Sequence, residues 1–457
     1  MHIFQSINPF NEELIAEFQQ SSNDEIQHAI NQAQIAQKEW ALLPIEQRAI
    51  FLLNLAELLK KEANKLAEIA CKEMGKTFEH AKAEILKSAS VCVYYAQHAA
   101  SILASEKVQV DAHLSVEKIQ VPMGIVLGIY PWNFPIWQII RSAIPAVMSG
   151  NAVLIKPAPN VPMSCLTLQS LFDKAGFPKG LLQSILADEK QIAELIAHPK
   201  IAALTLTGSN RAGAAVAALA GKAIKPVVLE LGGSDPFIIC EDADLDQVID
   251  HAVFSRFQNN GQSCVSAKRF IVHQSLLKDF EDLLIGKLKT FQYGDPLLPE
   301  TSMGPLARKD LKQTLERQVK DSLQKGAELV YQEKNIPEMG FFFPATVIKN
   351  IPKNSAAYNE ELFGPVLSIF SFKNETEAIE LANDTVYGLG CSIWTKNIEN
   401  GINISNQINT GMVYINQIVK SDVRFPFGGC KQSGFGKELG PEGLKAFCVL
   451  KTRWIHT

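Results

Sequence analysis

The eight cysteines, at positions 71, 92, 165, 240, 264, 391, 430 and 448, include no CxxC pair, and no histidine pair stands at a zinc-like spacing from them. A zinc ribbon or dithiol centre is thereby excluded, no metal site is expected, and most of the cysteines read as reduced core thiols. Charge of one sign is also scarce: 44 Lys and Arg against 48 Asp and Glu leave a formal net charge of −4. That balance argues against a nucleic-acid or anionic-membrane surface and favours small-molecule chemistry. Long apolar runs are missing as well, since the most apolar region, 121–148, is interrupted by Asn133, Arg141 and the prolines 131, 135 and 145. It makes a poor spanning helix. Residues 1–18 lack a basic region followed by an apolar block, so no secretory signal is expected and the cytoplasm is the expected location. There is no tandem repeat and no low-complexity segment.

What the chain does have is length, 457 residues, enough for roughly three structural units. From Ser22 to His98 apolar residues such as Ile50, Leu53, Leu55, Leu58 and Leu59 recur at helical spacing, with Pro44 marking a start. The segment 107–120 then alternates, predicting a strand pair outside the central core. Short β-branched strands alternating with helices follow, at 125–129, 152–155, 184–186, 203–207 and 227–229, which predicts a parallel α/β unit. A second α/β series is expected at 270–272, 345–348, 366–370, 390–394 and 412–415. A last strand is expected over 446–455, after the glycine-rich loop 426–436.

Chemistry concentrates in a few segments. Cys264, in Gln258-Asn-Asn-Gly-Gln-Ser-Cys264, stands among glycine and amides and offers a nucleophile; Glu230, closing the apolar run Val227-Val-Leu, offers a carboxylate base. A buried carboxylate is costly unless something uses it, although a glutamate capping a helix would also explain Glu230. Asn133, in Tyr130-Pro-Trp-Asn-Phe-Pro135, can donate from its amide to an oxyanion, with the backbone N–H of Cys264 as the second donor. Taken alone it also suits an ordinary turn. Gly208 and Ser209 lie between a strand and the helix expected from Asn210, where a phosphate would meet a helix N-terminus, or where Ser209 is a simple N-cap. Lys156, at the carboxyl end of a strand, is placed for ribose or phosphate contact, or is a surface lysine. Two look-alikes fail. Gly75-Lys76-Thr77 lies among helices with Ala70 where a phosphate loop needs glycine, and Gly434-Phe-Gly436 has Leu439 where a dinucleotide fingerprint needs glycine.

Seven segments, Tyr130-Pro-Trp-Asn-Phe-Pro, Lys156-Pro-Ala, Thr207-Gly-Ser, Leu229-Glu-Leu-Gly-Gly, Asn260-Gly-Gln-Ser-Cys, Glu361-Leu-Phe-Gly-Pro and Pro426-Phe-Gly-Gly, stand in the order of the aldehyde dehydrogenase superfamily. The chain resembles that superfamily from about Ser6 to its C-terminus. The resemblance implies an α/β fold with a variant Rossmann cofactor domain (1–102 and 122–232), a catalytic α/β domain (233–436) and small bridging or oligomerisation strands (103–121 and 437–457). It further implies a homodimer or homotetramer, and NAD or NADP as cofactor. Cys264 would attack the aldehyde, Asn133 would hold the oxyanion, and Glu230 would activate the water that hydrolyses the thioester. Glu361 and Phe363 would hold the nicotinamide ribose and ring, and Pro131, Trp132, Lys156, Pro159, Gly208, Ser209 and Leu231 complete the implied cofactor site. NAD-preferring members often carry Glu where this chain has Pro159, so NADP should be tolerated.

The subgroup resembled is that of the shorter bacterial succinate-semialdehyde dehydrogenases. Arg141, eight residues beyond Asn133, matches the arginine that those enzymes use for the distal carboxylate. Ser421 matches a second carboxylate contact, and Arg424 and Trp137 are further substrate candidates. Gln258 is a departure, because some members have a second carboxylate-binding arginine there. A broader aliphatic or glutarate-semialdehyde dehydrogenase is the neighbouring alternative. A CoA-acylating enzyme would leave Glu230 without a task, and a cofactor-free cysteine hydrolase would leave Lys156, Gly208 and Glu361 unexplained. A non-catalytic binding or structural protein on the same fold would be expected to have lost the nucleophile or the oxyanion donor.

Overall fold

The computed structural model describes residues 3–457; Met1 and His2, the start of the segment read for a signal, lie outside the described residues. A hairpin, Ile3–Ile7 with Leu14–Gln19, leads into four helices, Asn23–Leu42, Ile45–Lys61, Ala63–Met74 and Phe78–Ile102. The punctuation is local chemistry. Ser22 and Glu25 form a capping box, the Ser22 hydroxyl accepting from the Glu25 N–H at 3.2 Å while Glu25 accepts from the Ser22 N–H at 2.7 Å. Pro44 separates the first two helices, and Gly75 ends the third at φ 78°. A Cβ at Gly75 would lie 2.7 Å from the Pro305 carbonyl oxygen, so only glycine fits the conformation and the space.

Three larger sheets follow. The first has the order Gly434–Phe435, Val227–Glu230, Ile201–Thr207, Ile125–Ile129, Ala152–Lys156, Leu182–Ser184, parallel except for its two-residue first strand. The second has the order Glu328–Gln332, Thr346–Lys349, Val366–Phe372, Ala267–His273, Asp235–Ile239, Gly390–Trp394, Met412–Ile415, again parallel except at Glu328–Gln332. Its central strands are buried on both faces. Ile238, Ile271 and Ile393 pack to one side, and Phe237, Ile239, Phe270 and Val272 to the other, the alternation that a pleated strand imposes. The third sheet pairs Leu114–Pro122 with Glu106–Gln109 and with the C-terminal strand Cys448–His456.

Several expectations shift. The strand read at 184–186 lies at Leu182–Ser184. The loop 426–436 contributes an edge strand, because the Gly434 backbone, at φ 117°, lies so close to Leu229 that a Cβ there would collide with its carbonyl. The central strand Asp235–Ile239 and the edge strand Glu328–Gln332 have no counterpart in the sequence reading. Asp235-Pro236 disguises the first of these: proline has no N–H for the ladder, and the register of the pairing slips at that step.

No helix among the described residues is long and apolar enough to cross a membrane. All eight cysteines are free thiols. No group of three or more His, Cys, Asp or Glu side chains among the described residues could hold a metal ion.

Candidate active site

The Cys264 loop is built from a rare backbone. Asn259, Asn260 and Gly261 follow one another at φ 55°, 56° and 73°, a left-handed run that asparagine and glycine tolerate best. Buried amides fasten it. Asn260 Nδ2 donates to the carbonyls of Gly75 at 2.8 Å and Pro305 at 3.0 Å, its Oδ1 accepts from the Gly304 N–H at 3.0 Å, and Gln262 Oε1 accepts from the Ala307 N–H at 3.0 Å. A Cβ at Gly261 would lie 2.5 Å from the Gly364 carbonyl carbon, so this loop is locked against the one that carries Glu361 and Phe363. Lys268 strengthens the lock, donating to the Ser263 and Cys264 carbonyls at 2.9 Å each and pairing with Glu361 at 3.0 Å.

Asn133 is held beside this loop, donating through Nδ2 to the Gln262 carbonyl at 3.2 Å while its own carbonyl accepts from Asn259 Nδ2 at 3.0 Å. The helix that follows, Trp137–Met148, is buried throughout. Its N-terminus is capped from outside. Glu84 Oε1 accepts from the backbone N–H groups of Ile136 and Trp137 at 2.8 and 2.9 Å, and its Oε2 accepts from Lys76 at 2.5 Å. The carboxylate satisfies two orphan donors at the positive end of the helix dipole. Lys76, part of the rejected phosphate-loop look-alike, is spent in this wholly buried pair.

Two cavities meet at Cys264. The larger, about 450 Å³, is lined by Pro131, Trp132 and Asn133 on one side, by Lys156, Pro159, Gly208 and Ser209 on another, and by Leu231, Glu361 and Phe363. The smaller, about 260 Å³, is lined by Trp137, Arg141, Ser421, Phe134, Phe427 and Gln258 among others. Cys264 therefore faces a long cleft on one side and a compact, largely apolar recess on the other. Burial pushes the thiol up to about 11; Arg141 and then Lys268 pull it down, against Glu361 and Glu230. Burial thus favours the thiol over the thiolate in the resting site.

Glu230 lies behind this junction and lines neither cavity. It is 2% exposed, one carboxylate oxygen has no hydrogen-bond partner, and a Cβ on Gly428 would come within 2.5 Å of it. Burial first, and the neighbouring Glu438 second, hold its carboxyl well above the usual carboxylate range.

The substrate candidates divide. Arg141, Trp137 and Ser421 line the recess, but Arg141 is ion-paired with Glu438, donates to Thr207 Oγ1 at 3.3 Å and lies 4.5 Å from the Phe427 ring centre. Its charge is already compensated. Arg424 must be corrected: it is exposed, outside the recess, and grips Asp422 two residues away at 2.9 and 2.7 Å. A two-residue spacing lets that pair close locally, which a reading by proximity to Ser421 does not anticipate.

Three features of the cleft bear on whether it fits a dinucleotide. Lys156 is half-buried, and burial lowers its pKa against the opposing charge of Glu189, leaving a partly desolvated cation facing the cleft. Ser209 caps the helix Asn210–Lys222, accepting from the Ala212 N–H at 3.3 Å, so the helix N-terminus opens toward Gly208. A Cβ on Gly232 would fall 2.4 Å from a Glu361 carboxylate oxygen. A cation, a helix N-terminus and a wall cleared of side chains suit a phosphate-bearing ligand. The residues matching the aldehyde dehydrogenase family extend over 2–453.

The chain belongs to the aldehyde dehydrogenase family.

It is an oxidoreductase of that family. Among its relatives, succinate-semialdehyde dehydrogenase (NADP(+)) 1 of Mycobacterium tuberculosis is 42% identical over 453 residues, covering 98% of this chain and 99% of the relative. A probable succinate-semialdehyde dehydrogenase (NADP(+)) of Synechocystis is 43% identical over 450 residues, with coverage of 98% and 99%. The crystal structure of succinic semialdehyde dehydrogenase from Streptococcus pyogenes, in complex with NADP+, superposes with a TM-score of 0.97 at 36% identity, covering 99% of this chain and all of that one. In this aldehyde dehydrogenase the sequence reading assigned no role to Lys87, Lys268 or Glu438, each of which stands at or beside the site. Lys87 follows Glu84 by three positions on the helix Phe78–Ile102, so two charges on one face among Ile85, Ser88, Ala89 and Val91 were the available signal.

Proposed function

We propose that the enzyme oxidises succinate semialdehyde to succinate with NADP as the preferred hydride acceptor, NAD being accepted less well. The observation that carries this reading is the position of Cys264 between a dinucleotide-sized cleft and a small recess that combines apolar walls, from Phe134, Trp137 and Phe427, with the polar groups of Lys87, Arg141 and Ser421. The aldehyde carbon meets the thiol, and the distal carboxylate lies toward Ser421.

In this reading the Cys264 thiol gives its proton to solvent, and Sγ bonds to the aldehyde carbon as the carbonyl π pair moves onto oxygen. Asn133 Nδ2 and the Cys264 N–H hold the oxyanion. Glu361 and Phe363 orient the nicotinamide end; Lys156 and the Ser209 helix N-terminus hold the phosphates. Bound there, NADP supplies the acceptor for the hydride lost from the substrate carbon. Glu230 then takes a proton from water, whose oxygen replaces sulfur at the thioester carbon and returns the thiol. Its raised carboxyl pKa makes it the stronger base. One aldehyde, one water and one oxidised cofactor are consumed for one carboxylate, one reduced cofactor and two protons released to solvent.

The cofactor preference rests on charge. Lys156, Arg211 and Arg308 line the cleft, Glu361 lies toward the thiol end, and position 159 is proline. A 2′-phosphate there would meet Lys156 and Arg211, Arg308 being paired with Asp310, and would find proline at 159 instead of a repelling carboxylate. The sheet made by Glu106–Gln109, Leu114–Pro122 and Cys448–His456 exposes Val108, Val449, Leu450 and Trp454, and we assign it to contact between copies in a homodimer or homotetramer, to be tested by sedimentation. We likewise propose the division into cofactor, catalytic and bridging domains, which the separation into three sheets supports, although the edge strand Gly434–Phe435 of the segment 233–436 joins the first sheet.

Purified protein should reduce NADP when succinate semialdehyde is added, giving succinate by product analysis. No reduction with either cofactor, or equal efficiency with butanal and succinate semialdehyde, would overturn the assignment.

A further inference from the structure

We propose that Lys87 is the specificity-determining cation of the recess, holding the distal carboxylate of the substrate together with the Ser421 hydroxyl. The proposal rests on the semialdehyde reading above and assigns the charge that reading requires. A carboxylate entering a largely apolar recess loses its hydration, and an uncompensated cation is the effective replacement. Arg141 does not offer one, because Glu438 neutralises it within the wall.

Lys87 does. It lines the recess together with Cys264; its Nζ donates to Ser421 Oγ at 2.6 Å and lies 4.4 Å from the Trp137 ring centre. Those partners are a hydroxyl and an aromatic face, and neither carries charge. The acids around it are engaged elsewhere: Glu84 with Lys76, Asp422 with Arg424, and Glu438 with Arg141. An ammonium has three donors, so the Ser421 contact leaves capacity for an incoming oxygen.

The placement is also rigid. Glu84, one turn earlier on the same helix, caps the helix that carries Trp137 and Arg141, and this fixes Lys87 relative to the wall it faces. Burial, with Arg141 next, lowers the Lys87 pKa to about 8. An arriving carboxylate would relieve that desolvation.

The test compares wild type, K87M and K87R under saturating NADP, with succinate semialdehyde and butanal as parallel substrates. In K87M the ratio of kcat/KM for succinate semialdehyde to that for butanal should fall on the order of 10- to 100-fold, the range of a lost charge-assisted hydrogen bond; K87R should retain most of the ratio. A wild-type preference that K87M keeps, or an equal loss on both substrates, overturns the role of Lys87 and leaves the semialdehyde reading standing. A wild type without any preference overturns both.

Discussion

Arg141 and Glu438 form an ion pair sealed from solvent, each side chain 2% exposed. The pair joins the helix Trp137–Met148 to the segment that follows the edge strand Gly434–Phe435, and Thr205 Oγ1 adds a bond to Glu438 at 3.3 Å. Desolvation offsets much of the attraction in such a pair, yet removing one partner strands the other. Arg141→Met should therefore destabilise the fold by about 3–5 kcal/mol, read as a lower Tm. Arg141→Met combined with Glu438→Leu should recover much of that loss. A carboxylate-binding arginine with a free charge would instead give a mild stability change and a large rise in KM for the semialdehyde.

Hydride loss and hydrolysis are separable if Glu230 acts on water. Glu230→Gln should give a burst of about one reduced cofactor per active site followed by turnover slowed about 100-fold or more, the scale of lost general-base catalysis. Intact-protein mass spectrometry should find the acyl group on Cys264. Cys264→Ala should show neither burst nor adduct while still binding NADP. A Glu230→Gln enzyme with no burst would move the glutamate to the attack step.

Pro159 occupies the cleft wall near Lys156. Pro159→Glu would place a carboxylate where the 2′-phosphate of NADP approaches, and like charges repel even when partly screened. The Kd for NADP should rise about tenfold, with NAD changed by less than about threefold, a difference near 1.4 kcal/mol. Fluorescence titration of both cofactors measures it. Equal weakening of the two would indicate a distorted loop instead of charge discrimination.

The parts of this molecule legible in sequence are those where one local rule dominates. Val227–Glu230 and Gly390–Trp394 are short apolar strands bounded by glycine, and Cys264 is announced by neighbours that no ordinary core thiol needs. Where two requirements compete, the sequence misleads. Asp235–Ile239 begins with a residue pair hostile to strands, because the Asp235 carboxylate is used to accept from the Gly390 N–H at 3.0 Å. Arg141 has the right spacing from Asn133, but whether its charge is free depends on Glu438, which only the fold brings beside it. Lys87 has no motif. Its part in the recess comes from helix packing between Phe78–Ile102 and Trp137–Met148, which spacing along the chain does not encode.

The pH dependence of substrate choice should expose the same lysine. Lys87 titrates near 8, lowered first by burial and then by Arg141 and Lys420, while Asp422 and Cys264 favour its charged form. Below that value it is cationic and above it neutral, so attraction for a carboxylate is present at neutral pH and lost as pH rises through about 8. Bound substrate shifts the transition upward, since the carboxylate stabilises the ammonium. Across pH 7 to 10, the ratio of kcat/KM for succinate semialdehyde to that for butanal should accordingly fall about tenfold or more, and taking the ratio cancels the ionisation of Cys264, which both aldehydes require. In K87R the guanidinium stays charged over this range, so its ratio should remain flat. A wild-type ratio that stays constant to pH 10 would mean that the group selecting the carboxylate does not titrate there, which points back to Arg141.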